Sequence, residues 1–152
     1  MPYRPFEGQN CSIARTLAIV GERWTLLVLR EVLRGRRRFQ DIRRETGVAP
    51  NILSDRLSTL VEHGLLRRER YGEHPEAFEY RPTPKGADIA PVLWALLRWG
   101  DRHAAPDGPP VVVEHRACGH DAAPRMHCSH CGKPLEPADV VVRPGPGAAA
   151  AA

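Results

Sequence analysis

Residues 37–64 read RRFQDIRRETGVAPNILSDRLSTLVEHG, and this stretch decides the fold. Phe39, Ile42 and Arg43 begin a short helix that stops at Gly47. After Val48 and Ala49, Pro50 sits where a first helical turn tolerates it, since the N–H it lacks would have no partner in the helix anyway. Over residues 50–63 the side chains of Leu53, Leu57, Leu60 and Val61 fall on one stripe, and Gly64 supplies a left-handed stop. The opposite face is polar and small. Two short helices joined by a tight glycine-containing turn, the second with a free N-terminus, match the helix-turn-helix layout whose second helix enters the major groove of DNA.

Working outward, Cys11, Ala14, Leu17 and Ala18 recur at helical spacing before a break at Gly21. Residues 23–34 form the next helix, with Trp24, Leu27, Val28 and Val32 on a buried face, Arg23, Arg30 and Glu31 reaching water, and Gly35 ending it. Downstream, LLRRERY (65–71) and AFEYRPT (77–83) have the length and alternation of strands, joined by a turn at 72–76; this hairpin makes a wing. The last helical stretch, 84–103, carries Ile89, Val92, Leu93, Leu96, Leu97 and Trp99, and Pro91 is expected to bend or split it. That apolar content exceeds what a domain of this size covers, so a second copy is expected to bury the surplus and the protein is expected to be a homodimer. The fold class is therefore mainly α with a small β-hairpin wing, a winged helix-turn-helix of α+β type.

The chain has 152 residues and a formal net charge of +4. Its positive excess belongs to the first part, above all to Arg34, Arg36, Arg37 and Arg38 just before the helix at Phe39. Such a cluster anchors polyanions. On the second helix of the motif, Asn51, Ser54, Asp55, Arg56 and Thr59 lie off the leucine stripe and are candidates to touch bases or phosphates. Arg56 has a planar fork that pairs with a guanine edge or a phosphate, Asn51 suits adenine or a backbone oxygen, and each good base pairing is worth about 1–3 kcal/mol of discrimination. Asp55 is costly beside phosphate; it accepts from a cytosine amino group or holds an arginine such as Arg56 in place. Arg36, Arg37 and Arg38, with Arg67, Arg68, Arg70 and Arg81 of the wing, are expected to position the protein on the backbone without reading sequence. Alternation sends Arg68 and Arg70 to one strand face. The expected partner is double-stranded DNA.

Several other classes are excluded. No apolar run approaches the roughly 20 residues of a membrane-spanning helix, and the start, MPYRPFEGQN, lacks the apolar stretch of a signal peptide, so a cytoplasmic location is expected. No Ser-His-Asp order, phosphate-cradling glycine loop or paired carboxylates point to an enzyme. A winged helix that contacts a protein instead of an operator is the alternative, and steep loss of DNA affinity with salt distinguishes the two.

The segments CSIARTL (11–17), GERWTLLVLREVL (21–33), RRF (37–39), APNILSDRL (49–57), GLLRR (64–68), YRPTPKG (80–86) and PVLWALLRWG (91–100), in this order, closely resemble the HxlR-type winged-helix regulators, which are related in fold to the MarR group. The resemblance implies a dimeric transcription factor, expected here to be a repressor, that binds a palindromic operator with the helix after A-P-N and a two-stranded wing and dimerises through its first and last helices. Family members often carry a cysteine at the position of Cys11, and some use it to sense oxidants or electrophiles. A helix start near Arg15 favours thiolate there. The effector itself is not legible.

Residues 105–152 hold 8 of the 15 prolines and end in PGPGAAAAA, too poor in apolar side chains to fold without help. Within them H-R-A-C-G (115–119) and C-S-H-C-G (128–132) repeat one theme: a ligand, two spacers, a cysteine and a glycine. Two such turns bring His115, Cys118, Cys128 and Cys131 to tetrahedral distance of a structural Zn²⁺, with His120, His127 and His130 as alternative ligands. This departs from the usual family pattern and resembles a small zinc ribbon. The expected organisation is a DNA-binding and dimerisation domain at 1–104, a zinc-ribbon-like extension at 105–143 and a disordered tail at 144–152.

Overall fold

The computed structural model describes residues 6, 8–75 and 77–148. Glu76 of the hairpin turn and the last four residues of the expected tail lie outside the described residues, as do residues 1–5 and 7. Helices α1 (Ser12–Val20), α2 (Thr25–Leu33), α3 (Phe39–Thr46) and α4 (Pro50–Glu62) lead into an antiparallel hairpin of β1 (Leu66–Arg70) and β2 (Phe78–Pro82). Then come α5 (Pro84–Ala87), α6 (Ala90–His103), a second hairpin of β3 (Val113–His115) and β4 (His120–Ala122), and a 3-10 turn at Pro137–Asp139. This is the winged helix-turn-helix order read from the sequence. No helix among the described residues is long and apolar enough to cross a membrane.

The leucine stripe of α4 is buried: Leu53, Leu57 and Leu60 join Val28, Leu29, Val32, Ile42, Val48, Leu65 and Leu66 in one core. Complete burial of such a side chain is worth about 1.5–3 kcal/mol, so these residues hold α2, α3, α4 and the wing together. α2 meets this core differently from the sequence reading. Leu29 is fully buried, whereas Trp24 is only half-buried against the same cluster. Glu31 does not reach water as expected; it is 3 % exposed. Its carboxylate accepts from Arg30 Nε at 2.7 Å and Arg34 Nη1 at 3.4 Å, and the two guanidinium groups replace the water it loses.

The turn of the motif is built locally. Gly47 has φ 69°, a left-handed conformation that glycine adopts without strain, and ends α3. Thr46 Oγ1 donates to Ile42 O at 2.7 Å, and buried Val48 pins the turn to the core. Behind the wing, Thr83 caps α5 by accepting from the Gly86 amide at 3.1 Å and donates to Gly64 O at 2.6 Å. Lys85 Nζ donates to His63 O at 2.6 Å, which closes the C-terminal end of α4.

The chain forms two compact units that divide between Ala90 and Pro91. α6 groups with the C-terminal segment: Arg98 Nη1 donates to Pro124 O at 2.9 Å, and Trp94 and Leu97 share an apolar groove with Val111, Val112 and Ala122. The expected bend at Pro91 is a full break at Asp88 and Ile89 between α5 and α6, and Pro91 occupies the first turn of α6, where its missing donor is harmless.

Candidate nucleic-acid interface

On α4, Asn51, Ser54, Asp55 and Ser58 are exposed. Their spacing of three, four and seven residues puts them on one outward stripe opposite Leu53, Leu57 and Leu60. Ser58 is absent from the sequence-based candidates, although its position one turn beyond Ser54 and Asp55 was legible. Arg56 and Thr59 lie on the flanks instead. Arg56 is half-buried, with Nη1 at 3.6 Å from Glu22 Oε2, so Glu22 and not Asp55 holds it; Thr59 Oγ1 donates back to Asp55 O at 2.9 Å. α4 begins without a side-chain cap, because its N-cap residue is Ala49. Its first amides therefore face outward with the positive end of the helix dipole, a ready seat for a phosphate oxygen.

Next to that helix start, Gln40, Arg43, Arg44, Gly47, Val48 and Ala49 line an open groove. Arg44 is balanced by Asp41 at 3.0 Å and Glu45 at 3.7 Å. Arg43 is exposed and makes no ion pair among the described residues, so it adds a positive charge beside the uncapped amides. Gln40, Arg43 and Arg44 are not among the sequence-based candidates, because the charge density of the preceding arginine run places the anchor there alone.

That run is more than a solvated anchor. Tyr80 N donates to Arg37 O at 2.8 Å, and Arg38 pairs with Glu79 in an antiparallel bridge, so residues 37 and 38 extend the wing along the edge of β2. Arg36 Nε lies 3.7 Å from Glu45, and Arg38 Nε lies 3.5 Å from Glu79 with its guanidinium 4.3 Å above the Tyr71 ring. Part of the run's charge is therefore neutralised at home, while Arg37 is half-buried.

The register of the wing sorts the remaining arginines onto two faces. Arg67 pairs across with Arg81 and Glu69 with Glu79, and on this face Arg81 bridges Glu69 at 2.8 Å and Glu79 at 3.1 Å while Arg67 binds Glu69 at 2.8 Å. The other face holds Arg68 and Arg70 together, as alternation required. Their guanidinium groups stack on Phe78 at 4.1 Å and 5.8 Å and make no ion pair among the described residues. The ring fixes the stems and leaves the charge available.

The predicted cysteine sites fall elsewhere. Cys11 is half-buried at the N-cap of α1, and Arg15 is turned to the Asn10 side chain at 2.7 Å. In the C-terminal part, His115 Nδ1 and Cys118 Sγ are 3.4 Å apart, and the Cys131 thiol hydrogen-bonds Cys128. The amides of Cys131 and then His130 hold the Cys128 thiol below its ordinary range. His120 and His127 turn their Nδ1 atoms to the carbonyls of Cys118 and Arg125. The four candidate ligands thus stand as two pairs; among the described residues no three His, Cys, Asp or Glu side chains converge as a metal site.

Comparison with known proteins agrees with this geometry. Residues 19–107 match the family model of the HxlR-like helix-turn-helix. An uncharacterized HTH-type transcriptional regulator of Mycobacterium tuberculosis is 46 % identical over 143 residues, covering 93 % of this chain and 89 % of that protein. Among solved structures, PA1607, a candidate transcription factor, is similar with a TM-score of 0.78 and 35 % identity over 90 % of this chain and 96 % of its own. The redox regulator HypR in its reduced form is similar with a TM-score of 0.57 and 25 % identity, covering 64 % of this chain and 99 % of its own.

Proposed function

The chain belongs to the HxlR-like helix-turn-helix family of DNA-binding transcriptional regulators, not enzymes, and from that premise we propose that it works as a homodimeric repressor on a palindromic operator. Each copy lays α4 in the major groove with Asn51, Ser54, Asp55 and Ser58 toward base edges. Arg56 and Thr59 engage from the flank. The α4 N-terminus with Arg43, the segment Arg36–Arg38 and the wing residues Arg68 and Arg70 hold phosphates, whereas Arg81, held by Glu69 and Glu79 on the other face of the wing, does not. The observation that carries this reading is the α4 stripe of small polar side chains, flanked by Arg43, Arg68 and Arg70, whose charges no acid among the described residues cancels.

The dimer is supported by apolar side chains that a single chain leaves in water. Ile13 and Leu17 of α1 and Val92, Trp94, Leu96 and Trp99 of α6 are all exposed, Ile13 by 71 % and Trp99 by 64 %. Cys11 starts the same helix as Ile13 and Leu17. Modification of its thiol by an oxidant or electrophile therefore changes the subunit seam and with it the separation of the two α4 helices. Support for that role is the place of Cys11 at the N-cap of α1, next to exposed Ile13, and the likeness to HypR.

Footprinting on the DNA upstream of the chain's own coding region tests the reading. Two protected half-sites one helical turn apart, and loss of protection after quinone treatment of wild type but not of Cys11→Ser, are expected. A single unpaired footprint contradicts the dimer, and equal quinone sensitivity in Cys11→Ser contradicts the sensor.

A further inference from the structure

The segment after α6 presents a physical problem. From residue 105 to residue 148 no side chain is buried, and only Ala105, Val113, Ala122, Pro124 and Cys128 are even half-buried. Val112, Met126, Val141 and Val142 stand in water. A two-stranded hairpin without a core is marginal at best, and a region of this size holds a fixed shape only when a crosslink or metal contributes stability.

Two turns in it nevertheless have the same build. In the first, the Gly119 amide donates to His115 O at 2.8 Å, Gly119 has φ 68°, and the flanking strands β3 and β4 pair His115 with His120. In the second, the Gly132 amide donates to Cys128 O at 2.9 Å, Gly132 has φ 71°, and the flanking residues His127 and Pro134 pair across. Each turn therefore runs from a donor residue through a second donor three positions on to a left-handed glycine, and each brings its two donor atoms side by side.

We propose that these two turns are the halves of one structural Zn²⁺ site, in which His115 and Cys118 from the first and Cys128 and Cys131 from the second complete a tetrahedral shell. Three thiols and an imidazole are a soft donor set that suits zinc, and four protein ligands leave no position for substrate water. Binding releases the thiol protons to solvent. The nine residues between Cys118 and Cys128 leave ample chain to bring one pair onto the other, since each extended residue spans about 3.3–3.6 Å. Folding of the extension is then coupled to the ion, which supplies the stability that burial does not.

The test uses the full chain, purified under reducing conditions and assayed for metal by mass spectrometry, then reconstituted with zinc chloride or cobalt chloride. About one zinc per chain is expected, with the d–d absorption of tetrahedral cobalt after exchange. Cys118→Ser and Cys131→Ser should each lower zinc affinity by about tenfold or more, as should His115→Ala, whereas His120→Ala, His127→Ala and His130→Ala should retain the metal. Because a variant can lose metal by misfolding alone, a second readout uses wild type: adding a chelator should open three thiols to alkylation while the labelling of Cys11 stays unchanged. Below about 0.2 zinc per chain after reconstitution, or equal alkylation with and without chelator, would each overturn the proposal.

Discussion

Arg56 Nη1 lies 3.6 Å from Glu22 Oε2, which ties the one arginine of α4 to the segment between α1 and α2. Glu22 is 70 % exposed on its side chain and Arg56 only 20 %, so the pair is a guide that water screens on one side. DNA offers the same guanidinium a phosphate or a guanine edge. Exchange of Glu22 for a DNA acceptor needs little movement of the fork. Glu22→Gln is therefore expected to strengthen operator binding by a few-fold, since an exposed pair is worth only about 0–1 kcal/mol and an acid near phosphate is lost. Arg56→Ala is expected to weaken binding at least about tenfold. Fluorescence anisotropy at fixed salt measures both, and an Arg56→Ala protein that binds within twofold of wild type would remove Arg56 from the interface.

Asn51 and Arg68 are expected to fail in different ways. Asn51→Ala should relax preference at one operator position and leave the salt slope unchanged, whereas Arg68→Ala should weaken binding to all duplexes alike and reduce the slope by about 1. Titrations against a set of single-base operator variants separate the outcomes. Equal loss of sequence preference in both variants would contradict the division between the outward stripe and the wing.

Gly86 sits where a Cβ would overlap the Leu65 carbonyl, at the joint that Thr83 and Lys85 fasten to the end of α4. Gly86→Ala has no free space to relax into, so a loss of about 2 kcal/mol or more is expected, with a fall in the thermal midpoint of about 5 °C or more. Circular dichroism measures it. An unchanged midpoint would mean that the joint is looser than its hydrogen bonds imply.

The exposed side chains of α6 give the dimer its test. Leu96→Glu combined with Trp99→Glu is expected to yield a monomer by light scattering, and operator affinity should fall at least about tenfold because two half-sites are no longer linked. A double variant that remains dimeric would place the seam elsewhere.

The sequence disclosed the features that local periodicity controls. Leu53, Leu57 and Leu60 are spaced for one helix face, Gly47 and Gly64 mark the stops, and alternation placed Arg68 with Arg70; each depends on neighbours within a few residues. Pairings across distance were not legible. Nothing near Glu31 announces its burial, and the bridge from Arg38 to Glu79 joins residues that only the folded hairpin brings together. The arginine run therefore looks like bare charge in the sequence, although part of it is the edge of the wing. The break at Asp88 and Ile89 escapes sequence reasoning because Pro91 is the stronger local signal and lies beyond the true end of α5. In the C-terminal segment the spacing picks out two donor pairs, each formed by a local turn, and among the described residues no three of these side chains converge.

In the proposed complex the uncapped start of α4, Arg43, Arg68, Arg70 and the segment Arg36–Arg38 together face the DNA backbone. The decisive measurement is operator affinity as a function of salt, for wild type and for a protein with Arg36, Arg37, Arg38 and Arg68 changed to glutamine. Wild type should lose affinity linearly on a log–log plot with a slope of several units, near −0.9 for each phosphate contacted, and the variant should show a slope smaller by about 2–4 units. A wild-type slope close to zero, or one that the four substitutions leave unchanged, would mean that this face does not meet phosphate.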